Sequence, residues 1–124
     1  MNTMSEGYAD ELFDYGRTLY QMERYAEAKE QFLLASELEA TYYVYYWLYR
    51  SCKELGQADE AMGYLGLCYN ENDIDMSISV MYAEELAERE EYKKAVNVLE
   101  HTLDINDYDE NVDEFLHELK EKLK

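Results

Sequence analysis

Few residues of this chain have the types and spacing that chemistry needs. Glu114-x-x-His117 sets a carboxylate and an imidazole one helical turn apart, the spacing used in carboxylate-bridged di-iron bundles. Such a site needs the motif twice and two further carboxylates, yet the only other histidine, His101, has Val98 three places upstream. Asp104 to Tyr108 begins like a calcium loop, but Asp109 replaces the glycine of the sharp turn and Phe115 the bidentate acid. The stretch Asn70–Met81 fails in the same way. No Ser–His–Asp set, glycine-rich phosphate loop or dinucleotide fingerprint can be placed. Carboxylates are plentiful, but nothing in their pattern marks a pair as buried for acid–base work. The expectation is a non-enzyme with no metal and no cofactor.

What remains is aromatic and cationic. In Thr41–Lys53, TYYVYYWLYRSCK, the residues Tyr45, Leu48, Tyr49 and Cys52 fall at i, i+3, i+4, i+7, the spacing of a buried helical stripe. Tyr43, Tyr46, Arg50 and Lys53 fall on another face, aromatic at one end and basic at the other. The first face serves a core. The second is surplus to folding, and large aromatics beside Arg are the side chains that interfaces favour, because they bury much area at low rotamer cost.

The rest of the chain is suited to holding such helices. It has 124 residues, no proline, five glycines and an excess of good helix formers, so an all-α fold is expected. A net charge of −18, from 29 acidic and 11 basic residues, disfavours nucleic acid and anionic membranes and favours cationic partners, or serves solubility alone. Cys52 and Cys68 sit in apolar helical stripes without metal or redox spacing and read as reduced core thiols. No signal-peptide pattern opens the sequence and no apolar run is long enough to span a bilayer, so a soluble, cytoplasmic protein is expected.

Three segments align on an alanine: Arg24-Tyr25-Ala26-Glu27-Ala28, Gln57-Ala58-Asp59-Glu60-Ala61 and Glu91-Tyr92-Lys93-Lys94-Ala95, spaced by 33 and then 34 residues. Four residues after each alanine stands Phe32, Leu65 or Leu99, and three further on Ala35, Cys68 or Thr102. Upstream of each lies an apolar stripe: Leu12, Tyr15, Gly16, Leu19; then Tyr45, Leu48, Tyr49, Cys52; then Tyr82, Ala83, Leu86. Helix, short turn, helix is written three times. A last stripe, Val112, Phe115, Leu116, Leu119 and Leu123, makes Glu110–Lys124 a helix with one apolar side, suited to closing the array. Helices are expected at about 8–22, 24–39, 42–55, 57–70, 76–89, 91–106 and 110–123, with Met1–Gly7 frayed and Ser5 a possible N-cap.

The pattern resembles the tetratricopeptide repeat, W-x2-L-G-x2-Y followed by A-x3-F-x2-A and a proline, over about Ala9 to Asp109. The first repeat fits best, through Leu12, Tyr15, Gly16, Leu19, Ala28, Phe32 and Ala35. The terminal proline is replaced by Ala40, Asp73 and Asp107, and Thr41, Asp75 and Asp109 are placed to cap the helices that follow. Tyr49 stands where a small residue is expected, and Gly63 and Gly66 on the partner helix are expected to make room for its ring. The resemblance implies an α-solenoid of three antiparallel helix pairs plus a capping helix. It forms a single domain, 1–124, with repeats at about 9–41, 42–75 and 76–109 and the capping helix at 110–124.

In such arrays the first helix of each pair lines a concave groove that grips peptides or partner helices. That register implies a groove with Phe13, Arg17 and Tyr20 in the first repeat, then Tyr43, Tyr46, Trp47, Arg50 and Lys53 in the second. Glu84 and Glu88 make the third negative. Arg17 and Arg50 occupy equivalent places and form a cationic ridge, unless they only pair with local acids while the tyrosines pack between first helices. Of the places used to clamp chaperone tails by their carboxylates, here Phe13, Arg17, Trp47, Ser77 and Met81, only Arg17 is suited. The expected function is a protein–protein adaptor holding a peptide or helix. A small acidic chaperone of a bacterial secretion system and a homodimer using the aromatic face are the alternatives.

Overall fold

The computed structural model describes residues 3–124, and these form seven α-helices and no strand. They are α1 (Thr3–Gln21), α2 (Tyr25–Leu38), α3 (Tyr42–Glu54), α4 (Ala58–Glu71), α5 (Met76–Glu88), α6 (Tyr92–Ile105) and α7 (Glu110–Lys122). The helices α1–α2, α3–α4 and α5–α6 are antiparallel pairs, and α7 packs on α6 as the capping helix. The chain divides between Glu71 and Asn72 into two compact units. No described helix is long and apolar enough to cross a membrane.

The turns inside the pairs repeat one backbone device. After α1, α3 and α5 the chain takes a left-handed residue, Glu23 (φ 62°), Gly56 (φ 73°) and Glu90 (φ 61°), at the spacing of the sequence repeat. The next amide then reaches back over the helix end: Arg24 N–H donates to Leu19 O, Gln57 to Cys52 O and Glu91 to Leu86 O, each at 2.9 Å. These bonds satisfy carbonyls the helix end would otherwise leave open. Only the middle turn uses glycine, which adopts this conformation without a Cβ penalty.

The repeat register governs burial. Ala28, Ala61 and Ala95 are at most 1% exposed, Phe32, Leu65 and Leu99 are fully buried, and Ala35, Cys68 and Thr102 follow the same rule. Gly16 shows why small residues are needed: a Cβ there would lie 2.6 Å from the Phe32 ring, far inside contact distance. Both cysteines are buried and unbridged, and burial pushes the Cys52 thiol above its ordinary range. Lys29 of α2 ties the two pairs of the first unit together, donating to Glu60 Oε2 at 2.6 Å and Gln57 Oε1 at 2.7 Å.

Several expectations are corrected. Helix α1 already starts at Thr3, so Ser5 lies inside it rather than capping it; Met1 and Asn2 are outside the described residues. Tyr15 is 53% exposed: α1 packs chiefly against α2, and that side of it is uncovered. Tyr45 is half-buried, while Val44 beside it is in the core. A Cβ on Gly63 would touch nothing, so Gly63 does not make room for Tyr49. The carboxylates of Asp75 and Asp109 accept the amides of Ile78 and Val112 as helix caps, but Thr41 makes no cap bond and its hydroxyl is buried without a partner.

Candidate functional site

Within the first unit, α1 and α3 both pack on α2 and bring their aromatic faces together. The Phe13 ring meets Tyr43 edge-on at 5.1 Å, and Tyr20 meets Trp47 edge-on at 5.2 Å. Phe32 of α2 backs both, 5.8 Å from Phe13 and 6.0 Å from Trp47. Tyr46 stands edge-on to Trp47 at 6.0 Å. Edge-to-face contact is favoured because each ring has a negative face and a positive rim. Phe13, Tyr20, Tyr43, Tyr46 and Trp47 are all half-buried, so part of the aromatic surface is spent in joining first helices to each other.

The two arginines converge on one ring. The Arg17 guanidinium lies 5.4 Å from the Trp47 centroid and 5.8 Å from Phe13. Arg50 lies 4.5 Å from Trp47, 4.9 Å from Tyr20 and 5.7 Å from Tyr46. A ring face attracts a cation, with about 0.5–1 kcal/mol for each such contact at an exposed site. Two like charges can therefore share Trp47 without an acid between them. Among the described residues neither guanidinium pairs with a carboxylate, although the chain carries 29 of them. A guanidinium is a planar fork of N–H donors, a geometry that suits a carboxylate.

The structure thus gathers Phe13, Arg17, Tyr20, Tyr43, Tyr46, Trp47 and Arg50. Lys53 is exposed in the last turn of α3. Glu84 and Glu88 belong to α5 in the second unit, where Glu84 lines a cleft and Glu88 is exposed at the helix end. The sharing of Trp47 by both arginines was not readable from spacing, since it depends on the rotamers of three long side chains. Among the described residues no group of three or more His, Cys, Asp or Glu could hold a metal. His117 Nδ1 contacts the Asp113 carbonyl at 2.9 Å, and His101 Nε2 contacts Asp73 Oδ2 at 2.8 Å.

The fold is tetratricopeptide-like. Yeast Tom70 matches 95% of this chain and 24% of its own at a TM-score of 0.81, with 18% identity. The chain therefore spans about a quarter of that protein. The first such domain of Spaghetti (RPAP3), solved with the HSP90 peptide SRMEEVD, matches at 0.70 with 13% identity over 94% of this chain and 96% of that one. The Yersinia enterocolitica type III secretion chaperone SycD, solved with a peptide of the translocator YopD, matches at 0.66 with 17% identity over 92% and 88%. At these identities the likeness is one of fold. No family model matches the sequence, and no curated protein sequence does.

Proposed function

We propose that this chain is a non-enzymatic, cytoplasmic interaction module of three tetratricopeptide-type repeats with a capping helix. In this reading it holds a segment of a partner protein, with an acidic element of that segment on Arg17 and Arg50. The observation that carries it is the pair of guanidiniums on one tryptophan ring with no counter-ion among the described residues. In a protein of net charge −18 such cations would ordinarily find a local acid. Trp, Tyr and Arg are also the residues that dominate binding energy at interfaces. The neighbouring folds in RPAP3 and SycD were solved with bound peptides, which supports a peptide as the ligand.

The test is titration of a fluorescent peptide carrying glutamates beside an aromatic residue. Arg17→Glu with Arg50→Glu is expected to weaken binding by at least about tenfold while the circular-dichroism spectrum stays unchanged. Unaltered affinity in the double variant removes the arginine site from the reading. A small secretion chaperone is a narrower version of the same function, supported by the likeness in fold to SycD. It is separated by whether the chain keeps an exported client soluble.

A further inference from the structure

The second unit carries a different concavity. Helices α5 and α7 both pack on α6, and between them lies an open cleft of about 590 Å³. That volume is in the range of pockets that seat a ligand or a large side chain. Both walls carry apolar side chains: Met76 and Val80 from α5, Val112 and Phe115 from α7. Val112 is 4% exposed, and Met76, Val80 and Phe115 are half-buried, so three of the four still present apolar surface to an occupant.

The rim is acidic from both sides. Glu84 of α5 and Glu118 of α7 line the cleft, both are exposed, and among the described residues neither forms an ion pair or a hydrogen bond through its side chain. The third acid there, Asp109, is occupied with capping α7 through Val112 N–H at 3.0 Å. Two basic residues near the C-terminus of α7 turn elsewhere: Lys120 pairs with Glu100 at 3.3 Å and Lys124 with Glu121 at 2.8 Å. Lys122, one turn beyond Glu118, forms no ion pair with it among the described residues. An apolar trough between two unneutralised carboxylates complements a side chain that is apolar in its body and flanked by positive charge.

We infer that the α5–α7 cleft is a docking site for a basic amphipathic segment of a partner protein, a large apolar side chain filling the trough and Lys or Arg reaching Glu84 and Glu118. Polypeptide is the occupant because the trough is open-sided and its two charges stand on separate helices, an arrangement that a helix with cations on either side of an apolar anchor satisfies. The inference rests on the reading that this chain binds polypeptide, but it uses none of the arginine-site residues.

The experiment is fluorescence anisotropy with a labelled leucine–lysine amphipathic peptide, and with a control in which serine replaces leucine at equal charge. Expected is binding of the leucine peptide alone, weakened at least about tenfold by Glu84→Lys with Glu118→Lys and unchanged by Arg17→Glu with Arg50→Glu. Val80→Gln, in the lining of the cleft, is expected to weaken it without altering the charge. Equal binding of the serine peptide, or binding indifferent to the Glu84 and Glu118 reversal, overturns the inference, because attraction to a −18 surface then suffices. A dimer in sedimentation that the same reversal dissociates also overturns it, by giving the cleft to a second copy. Loss of acidic-peptide binding in the arginine variant with basic-peptide binding intact separates the two sites.

Discussion

The two units build their pairs on one register and finish them differently. In the first, the slot between first and second helix is filled by Gly16 against Phe32, and that ring supports Phe13 and Trp47. In the second, the equivalent places hold Ala83 and Leu99, both fully buried and neither of them aromatic. The first unit therefore presents cations lying on rings. The second presents an apolar trough edged by acids. A repeat fixes where a side chain stands, while the chemistry displayed depends on what the slot beneath can support.

Truncating the support should show this most strongly. Phe32→Ala is expected to cost about 4 kcal/mol in urea denaturation, and to loosen the arginine site by removing the backing of both Phe13 and Trp47. Leu99→Ala, at the matching place, is expected to cost about 3 kcal/mol and to leave acidic-peptide binding intact. Equal loss of that binding in both variants would break the contrast.

Exchanging slot contents has a smaller effect. Gly16→Ala is expected to destabilise by about 1–3 kcal/mol through the clash with Phe32. Adding Phe32→Leu, which copies the Ala83 and Leu99 pair, should recover part of that loss in thermal melts. Gly63→Ala in α4, where a Cβ meets nothing, should instead stabilise by roughly 0.5–1 kcal/mol.

The smallest effect concerns Lys29, which has no counterpart in the second unit: the matching place there is Val96. Burial alone would lower its pKa, but the hydrogen bond and charge of Glu60 outweigh burial and hold it above its ordinary 10.5. A raised lysine adds stability below its unfolded pKa and loses it as pH rises through the folded one. Lys29→Met should therefore cost less than about 1 kcal/mol near neutral pH, Glu60 being exposed. The difference from the native chain should close above pH 10.5, read by denaturation across an alkaline series.

Most of the fold was legible because the alanine register is local and repeated. Ala28, Ala61 and Ala95 announce close helix approach, and the observed ends of α2 to α7 fall within a residue or two of those expected from pattern. Tyr15 misled because it sits in an apolar stripe, although periodicity does not say whether a neighbour exists to cover it. Ser51 and Ser79 went unnoticed because they are polar, yet both are fully buried. Ser79 satisfies its hydroxyl on Asp75 O at 3.1 Å, whereas the Ser51 hydroxyl has no partner. At the candidate site the residues were legible and their geometry was not. Spacing placed Arg17, Trp47 and Arg50 near one another, but which ring each cation lies on depends on side-chain rotamers that spacing does not encode.

Trp47 is the only tryptophan in the chain, and it lies under both guanidiniums. Its indole emission consequently originates at one known point, next to the charges a ligand would engage. An anion bound there would change the local electric field on the excited ring, so a shift in the native protein's own fluorescence is the expected sign of its arrival. Fourteen tyrosines can pass excitation to that ring. The chain thus contains an optical gauge of its candidate site without any label.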